Sequence, residues 1–321
     1  MSDVLLANFL SPIVLAFVLG VGARLAGSDL RLPKDIYAAL SIYLLFALGL
    51  KGGHELSHAT FGAIAAPAGA ALLLGLVTPV SAYLVLRGLG RFSVADAAGI
   101  AAHYGSVSAV TFLAAQNFCA AAGTPAEGFV ATLLAILESP GIAVALAIGV
   151  VSGGGARPVG EAVHEILAGR TMVLLVGGLA IGAAMGEPGW TAVSPFFEHG
   201  FKGALTLFLL EMGVVAADRL GDLPRVGRFL LAFGMGMPLA HGTLGALVGT
   251  WAGLSVGGAT VLAAMAASAS YIAAPPAVRL SLPEANPTYS LTASLAITFP
   301  FNVLVGIPLY HEIAKAAEVW L

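Results

Sequence analysis

The sequence predicts an all-α membrane protein of ten transmembrane helices in two inverted five-helix repeats. Three observations predict it. Of 321 residues, 59% are hydrophobic and only 10% charged, and mean hydropathy is +0.95; soluble domains carry roughly 25% charged residues. Ten segments are apolar enough to cross a bilayer at about 20 residues per crossing. The chain also reads twice. Leu48-Gly49 answers to Met212-Gly213, Phe92-Ser93-Val94 to Leu254-Ser255-Val256, Ser106-Val107-Ser108 to Ser268-Ala269-Ser270, and Ser139-Pro140 to Phe299-Pro300, at offsets of 160 to 164. The net charge of −3 and the lack of a basic patch give no reason to expect nucleic acid as a partner. The single Cys119 excludes an internal disulfide or a multi-thiol metal site.

The spans fall near 9–27, 36–53, 61–87, 94–116, 128–152, 169–186, 197–217, 228–252, 256–279 and 289–314. Met1 to Asn8 has no basic residue, so no signal peptide is expected and Leu10 to Gly27 reads as a retained first span. The first repeat covers 1–153, a short cytoplasmic linker 154–168, and the second repeat 169–321. An odd number of spans per repeat turns the second copy upside down in the membrane. The odd-numbered loops and their flanks hold Arg24, Arg31, Lys34, Arg87, Arg91, Arg157, Arg170, Arg219, Arg225, Arg228 and Arg279, the other side only Lys51, Lys202 and Lys315. By the positive-inside rule the odd loops are cytoplasmic and both termini outside, as expected for a multi-pass protein of a bacterial inner membrane.

Spans 4 and 9 are the least ordinary helices. Span 4 holds His103 to Thr111 and span 9 Ala266 to Pro276, both rich in Gly, Ala and Ser. The Pro275-Pro276 pair lacks two backbone donors and disfavours helix before it. Broken helix at membrane depth is tolerated where it is buried in protein or lines a cavity. The start of a half-helix then offers amides and a positive dipole end to an anion, and serine hydroxyls add donors. Close helix packing is the alternative use of such small residues; their matched places in two repeats favour a binding site.

Ser268-Ala269-Ser270-Tyr271-Ile272-Ala273-Ala274-Pro275, followed by Pro283-Glu284-Ala285-Asn286-Pro287, resembles the sodium-dependent bicarbonate transporters of the SbtA type. So do Gly105 to Thr111, Glu138-Ser139-Pro140 and Thr298 to Asn302. The resemblance implies ten helices in a gate and a core bundle, trimeric assembly, and sodium-driven uptake of bicarbonate between broken helices 4 and 9. On that reading Gly105, Ser106, Val107, Ser108, Thr111, Ser268, Ala269 and Ser270 hold the small anion. Sodium, the coupling ion, is expected on Glu138, Ser270, Thr298 and Asn302, and no other cofactor is expected. The family's cyanobacterial members carry a longer loop between the halves, so the short one here puts a PII-like regulator in doubt.

Read from the residues alone, Glu138 is a mid-membrane carboxylate, which by default marks an ion or proton path. Thr298 is its counterpart at the 160-residue offset, and Asn302 lies one turn further on. Glu211 can be a gate residue, a proton site or a partner for Lys202. His103 and His241 read as interhelical hydrogen-bonding residues, Asp96 as complementing the start of span 4, and Gln116 and Asn117 as meeting solvent. Proton coupling, a small organic anion, or a non-transporting receptor on the same fold remain alternatives. His54-Glu55-Leu56-Ser57-His58 matches the H-E-x-x-H zinc-protease motif, but it follows Gly52-Gly53 where a helix is expected to end and no third ligand motif stands out downstream; a solvated loop is the expectation, with adventitious metal binding at the outer face as an alternative.

Overall fold

The computed structural model describes residues 8–153 and 159–320. Among them there is no strand, and seven helical stretches are long and apolar enough to cross a membrane. Large apolar side chains such as Leu72, Leu73, Leu76, Val80 and Leu84 are exposed along a single helix, the outward face of a lipid-embedded protein.

The chain begins with α1 (Pro12–Leu25), capped by Ser11, whose hydroxyl accepts from Val14 N at 3.3 Å. Next come α2 (Lys34–His58), α3 (Phe61–Gly88), α4 (Val94–Gly105), α5 (Ala109–Ala121) and α6 (Val130–Val151). The expected fourth span is therefore two half-helices, separated at 106–108. Helix α2 outruns its expected end at residue 53 and carries the whole His54–His58 motif. Its glycines do not stop the helix; they press it against a neighbour. A Cβ on Gly53 would lie 2.0 Å from Leu179 O.

Most of the short linker is the helix α7 (Val159–Leu167); its residues 154–158 lie outside the described residues, as do Met1 to Ala7 at the amino end. Helix α8 (Arg170–Ser194) then runs through a turn of π-helix at Pro195–His199 into α9 (Phe201–Leu220). The expected loop between spans 6 and 7 is thus helical. The chain bends inside it at Gly186, whose φ of +62° and ψ of −175° suit glycine alone, and Pro188 reopens the helix two residues later. At 51 residues, α8 with α9 is about 75 Å long, enough for two crossings.

Helix α10 (Leu223–Trp251) follows, with a non-helical Gly227 near its start, then α11 (Val256–Ala266) and α12 (Ala274–Ser281). The ninth span breaks at 267–273, upstream of the proline pair. Pro275 and Pro276 sit in the first turn of α12, where their missing amides leave no gap in the ladder; they start a helix rather than interrupt one. The last stretch, α13 (Pro287–Trp320), widens into π-helix at Ala293–Thr298 and Asn302–Gly306.

Helix α1 packs on α9, and α2 on α8, backbone to backbone. Cβ atoms on Gly20 and Gly213 would lie 2.0 and 2.1 Å from Leu210 O and Phe17 O. Gly182 and Gly53 stand likewise 2.1 and 2.0 Å from Leu50 O and Leu179 O. Around them α3, α4 and α6 pack together, as do α10, α11 and α13. At the loop before α2, Arg24 and Arg31 both pair with Asp218, and Glu211 accepts from Leu32 N at 2.7 Å beside Arg31 at 3.8 Å. Glu211 thus anchors that loop and is not Lys202's partner.

Candidate functional site

The two broken helices cross each other through their interruptions. Ser108 caps α5, its hydroxyl accepting from Thr111 N at 3.2 Å. Ser270 Oγ likewise accepts from Ala273 N at 3.3 Å and Ala274 N at 3.4 Å, just ahead of α12, whose own N-cap is Ala273. Each break also donates to the other: Ser108 N to Ser268 Oγ and Ser270 N to His103 O, both at 2.8 Å. These bonds satisfy amides that the interruption leaves without a helical partner. Ser268 Oγ in turn donates to Met265 O at 2.8 Å, and Ser106 Oγ to Glu138 O at 3.0 Å. The close approach of α6 to the end of α4 rests on glycine: a Cβ on Gly141 would lie 1.7 Å from Gly105 O.

The start of α5 opens into a narrow cleft of about 20 Å³, lined by Val107 to Val110, Glu138, Ser270, Tyr271 and Ile272, with Ser41 and Thr171 from α2 and α8. Glu138 is 2% exposed and its Oε2 has no hydrogen-bond partner. Among the described residues no lysine or arginine lines the cleft. A buried, unpaired carboxylate is costly, and a hard cation with oxygen ligands is the chemistry that relieves it. The hydroxyls of Ser41, Ser108, Thr171, Ser270 and Tyr271 line the same space.

Two larger hollows adjoin the cleft. One, of about 940 Å³, meets it at Leu113 and is lined by Lys51, Glu55, Gln116, Asn117, Glu127, Glu198 and Lys202. Lys51 is tied to Glu198 at 2.6 Å. The other, of about 330 Å³, shares Ser41, Leu45, Thr171 and Ile272 with the cleft and reaches Glu165 and Arg170.

Of the residues expected to bind the anion, Val107, Ser108 and Ser270 line the cleft. Gly105, Ser106, Thr111, Ser268 and Ala269 are buried around it, in the crossing itself. Of the expected sodium ligands, Glu138 and Ser270 line the cleft; Thr298 and Asn302 do not. Thr298 Oγ1 donates to Gly234 O at 2.7 Å and meets Tyr104 OH at 2.6 Å. Asn302 donates to Ala267 O and accepts from Tyr310 OH, each at 2.9 Å, holding α13 to the break after α11. Sequence reasoning did not assign Tyr271, whose hydroxyl lies 3.5 Å from that of Ser108, or Ser41 and Thr171. For Ser41 and Thr171 a lone intramembrane hydroxyl was the only signal, and it is a weak one; Tyr271 lies within the Ser268 to Pro275 stretch that carries the resemblance.

Several other polar residues singled out in the sequence have structural roles. His241 Nε2 lies 2.7 Å from Ser81 Oγ, linking α10 to α3. His103 contributes its carbonyl to the crossing, while its buried Nδ1 has no partner. Asp96 shares the cap of α4 with Ser93 and accepts from Asn286 N at 2.8 Å, tying down the Pro283 to Pro287 turn. Gln116 and Asn117 line the larger hollow.

Residues 12–315 match the family model of the Na+-dependent bicarbonate transporter superfamily. The chain belongs to that family. Among curated proteins, none matches it significantly. Membership makes the protein a transporter, not an enzyme, so the protease reading of His54–His58 falls. Glu55, which would be the protease's base, lies against Gly128. Family and apolar helices together place the chain in a membrane. Sodium and bicarbonate attach to it at the level of the family.

Proposed function

We propose that the protein is a sodium-driven symporter of bicarbonate, with both solutes in the cleft between the crossing half-helices. The observation that carries this reading is the unpartnered Glu138 carboxylate in a buried cleft that also receives the start of α5 and, among the described residues, contains no basic side chain. An anion cannot enter such a space beside a second negative charge without a cation or a proton. Glu138, with Ser270 and neighbouring hydroxyls, takes the sodium. The amides at the start of α5 and the Ser108 hydroxyl take the bicarbonate. Thr298 and Asn302 support the site from behind, as their bonds to Tyr104 and Tyr310 suggest.

The ten-span inverted repeat is part of the proposal. It is supported by the paired glycine contacts, which map onto each other at offsets of 160 and 162, and by Ser108 and Ser270, 162 residues apart, whose hydroxyls both accept from the amide three residues on. The contacts equate Gly213 with Gly53, shifting the register read from Leu48-Gly49 by four residues. A related pair of hollows on either side of the cleft supports alternating access. With the positive-inside orientation, the one holding Lys51 and Lys202 faces outward.

The test is uptake of labelled bicarbonate into proteoliposomes under an inward sodium gradient or an inward proton gradient, for wild type and Glu138→Gln. Sodium-driven uptake lost in the variant is the expected result. Uptake driven by protons alone would replace the coupling ion, and none under either gradient from folded protein would remove bicarbonate as the substrate.

A further inference from the structure

The His54–His58 motif has a partner that sequence spacing concealed. Because α2 stays helical through His58, the two histidines sit one turn apart on one face, with ring centroids 4.9 Å apart. The bend at Gly186 brings Glu187 of α8 against them, its Oε2 3.4 Å from His54 Nε2. One donor atom from each of the three side chains lies within 4.8 Å of the others. His54 is 7% exposed and stacks on Trp190 at 5.1 Å, yet its buried Nδ1 has no hydrogen-bond partner. A metal would be taken by Nε2, the nitrogen that faces Glu187, leaving Nδ1 as the N–H of the ring.

We propose that His54, His58 and Glu187 form a site for a divalent transition-metal ion, with zinc as the natural probe. Two imidazole nitrogens and one carboxylate oxygen make a donor set that zinc accepts. Bonds of about 2.0–2.2 Å in tetrahedral arrangement put donor atoms about 3.4 Å apart, within small side-chain rotations of the observed cluster. His58 and Glu187 are exposed, which leaves the fourth position to water. The site carries no hydrolytic chemistry, because Glu187 is a ligand and Glu55 is engaged against Gly128. Its effect is mechanical: the ion pins the turn at Gly186 to α2 and closes the α2–α8 pair at one end. This inference does not depend on the transported solute.

Zinc titration by calorimetry on the chelator-stripped, detergent-purified protein tests it. One zinc per chain is expected. His58→Gln and Glu187→Gln, both at exposed positions that folding tolerates, should each weaken binding by more than about 10-fold, while Glu55→Gln and His199→Gln leave it unchanged. Cobalt loading should give a visible absorption band that His58→Gln abolishes. Absence of saturable binding, or binding indifferent to both ligand variants, overturns the proposal.

Discussion

Gly141→Ala tests the claim that the crossing of the broken helices sets the binding geometry. The added Cβ would lie 1.7 Å from Gly105 O and 2.3 Å from Gly105 C, and the first separation must double to reach ordinary contact. The obstruction is backbone, so no side chain can swing aside. Either α6 withdraws from α4 or the end of α4 shifts, and both routes pull Ser106 from Glu138 O and move the start of α5. Overpacking of this kind costs about 1–3 kcal/mol, which a folded membrane protein can survive. A positioned site is less forgiving: a displacement of about 1 Å is enough for about a hundredfold loss of rate. The expected outcome is a protein that still elutes as a folded species, with a modestly lowered melting temperature and bicarbonate uptake reduced by one to two orders of magnitude, about 10- to 100-fold. Gly177→Ala, where a new Cβ meets nothing within 4 Å, is the control and should transport normally. Wild-type uptake by folded Gly141→Ala would refute the argument, because the site would then tolerate a displaced crossing.

Other expectations follow from the same contacts. Glu138→Gln keeps the shape of the side chain but removes its charge, so sodium stimulation of uptake should vanish while folding, read by size-exclusion chromatography, persists. Ser108→Ala deletes the cap of α5, worth about 1 kcal/mol, and Ser270→Ala removes the acceptor for Ala273 N and Ala274 N; thermal unfolding should register both losses, and the KM for bicarbonate should rise more for Ser108, whose helix start faces the cleft. Asn302→Ala leaves Ala267 O and Tyr310 OH without their partner, a cost of about 1–3 kcal/mol for each unsatisfied group, so a large drop in melting temperature is expected with little change in the apparent affinity for sodium. Lys202 in the large hollow has no side-chain partner among the described residues, and Lys202→Glu should slow bicarbonate uptake most at low ionic strength, where steering of anions is least screened.

Much of the candidate site was legible because its signals are local. The small, polar stretches that set spans 4 and 9 apart do hold the two breaks, at 106–108 and 267–273. The break at 106–108 follows from small polar residues that gain little from remaining helical. What stayed hidden depended on contacts between distant segments. Gly52 and Gly53 read as helix breakers because, in isolation, glycine weakens helix; packing against Leu179 reverses that outcome. Pro275 and Pro276 read as an interruption, although proline is equally at home in a first turn. Glu187 shows no metal-site spacing relative to His58, and only the bend at Gly186 brings them together. Thr298 and Asn302 share a face with each other, as expected, but the widened turns of α13 and the tyrosines at 104 and 310 engage them away from the cleft.

The hollow beside Leu113 also has an electrical meaning. Water in a wide well conducts, so the voltage across a bilayer falls mainly over the dry matter that separates one well from the other. Here that matter is thin: the cleft meets one hollow at Leu113 and the other at Ser41, Leu45, Thr171 and Ile272. Each elementary charge carried across the full drop exchanges about 2.3 kcal/mol with the field per 100 mV. One sodium travelling with one bicarbonate would draw nothing from that field, whereas a second sodium would make every cycle a unit of current. The number of ions per turnover is therefore readable as charge at an electrode.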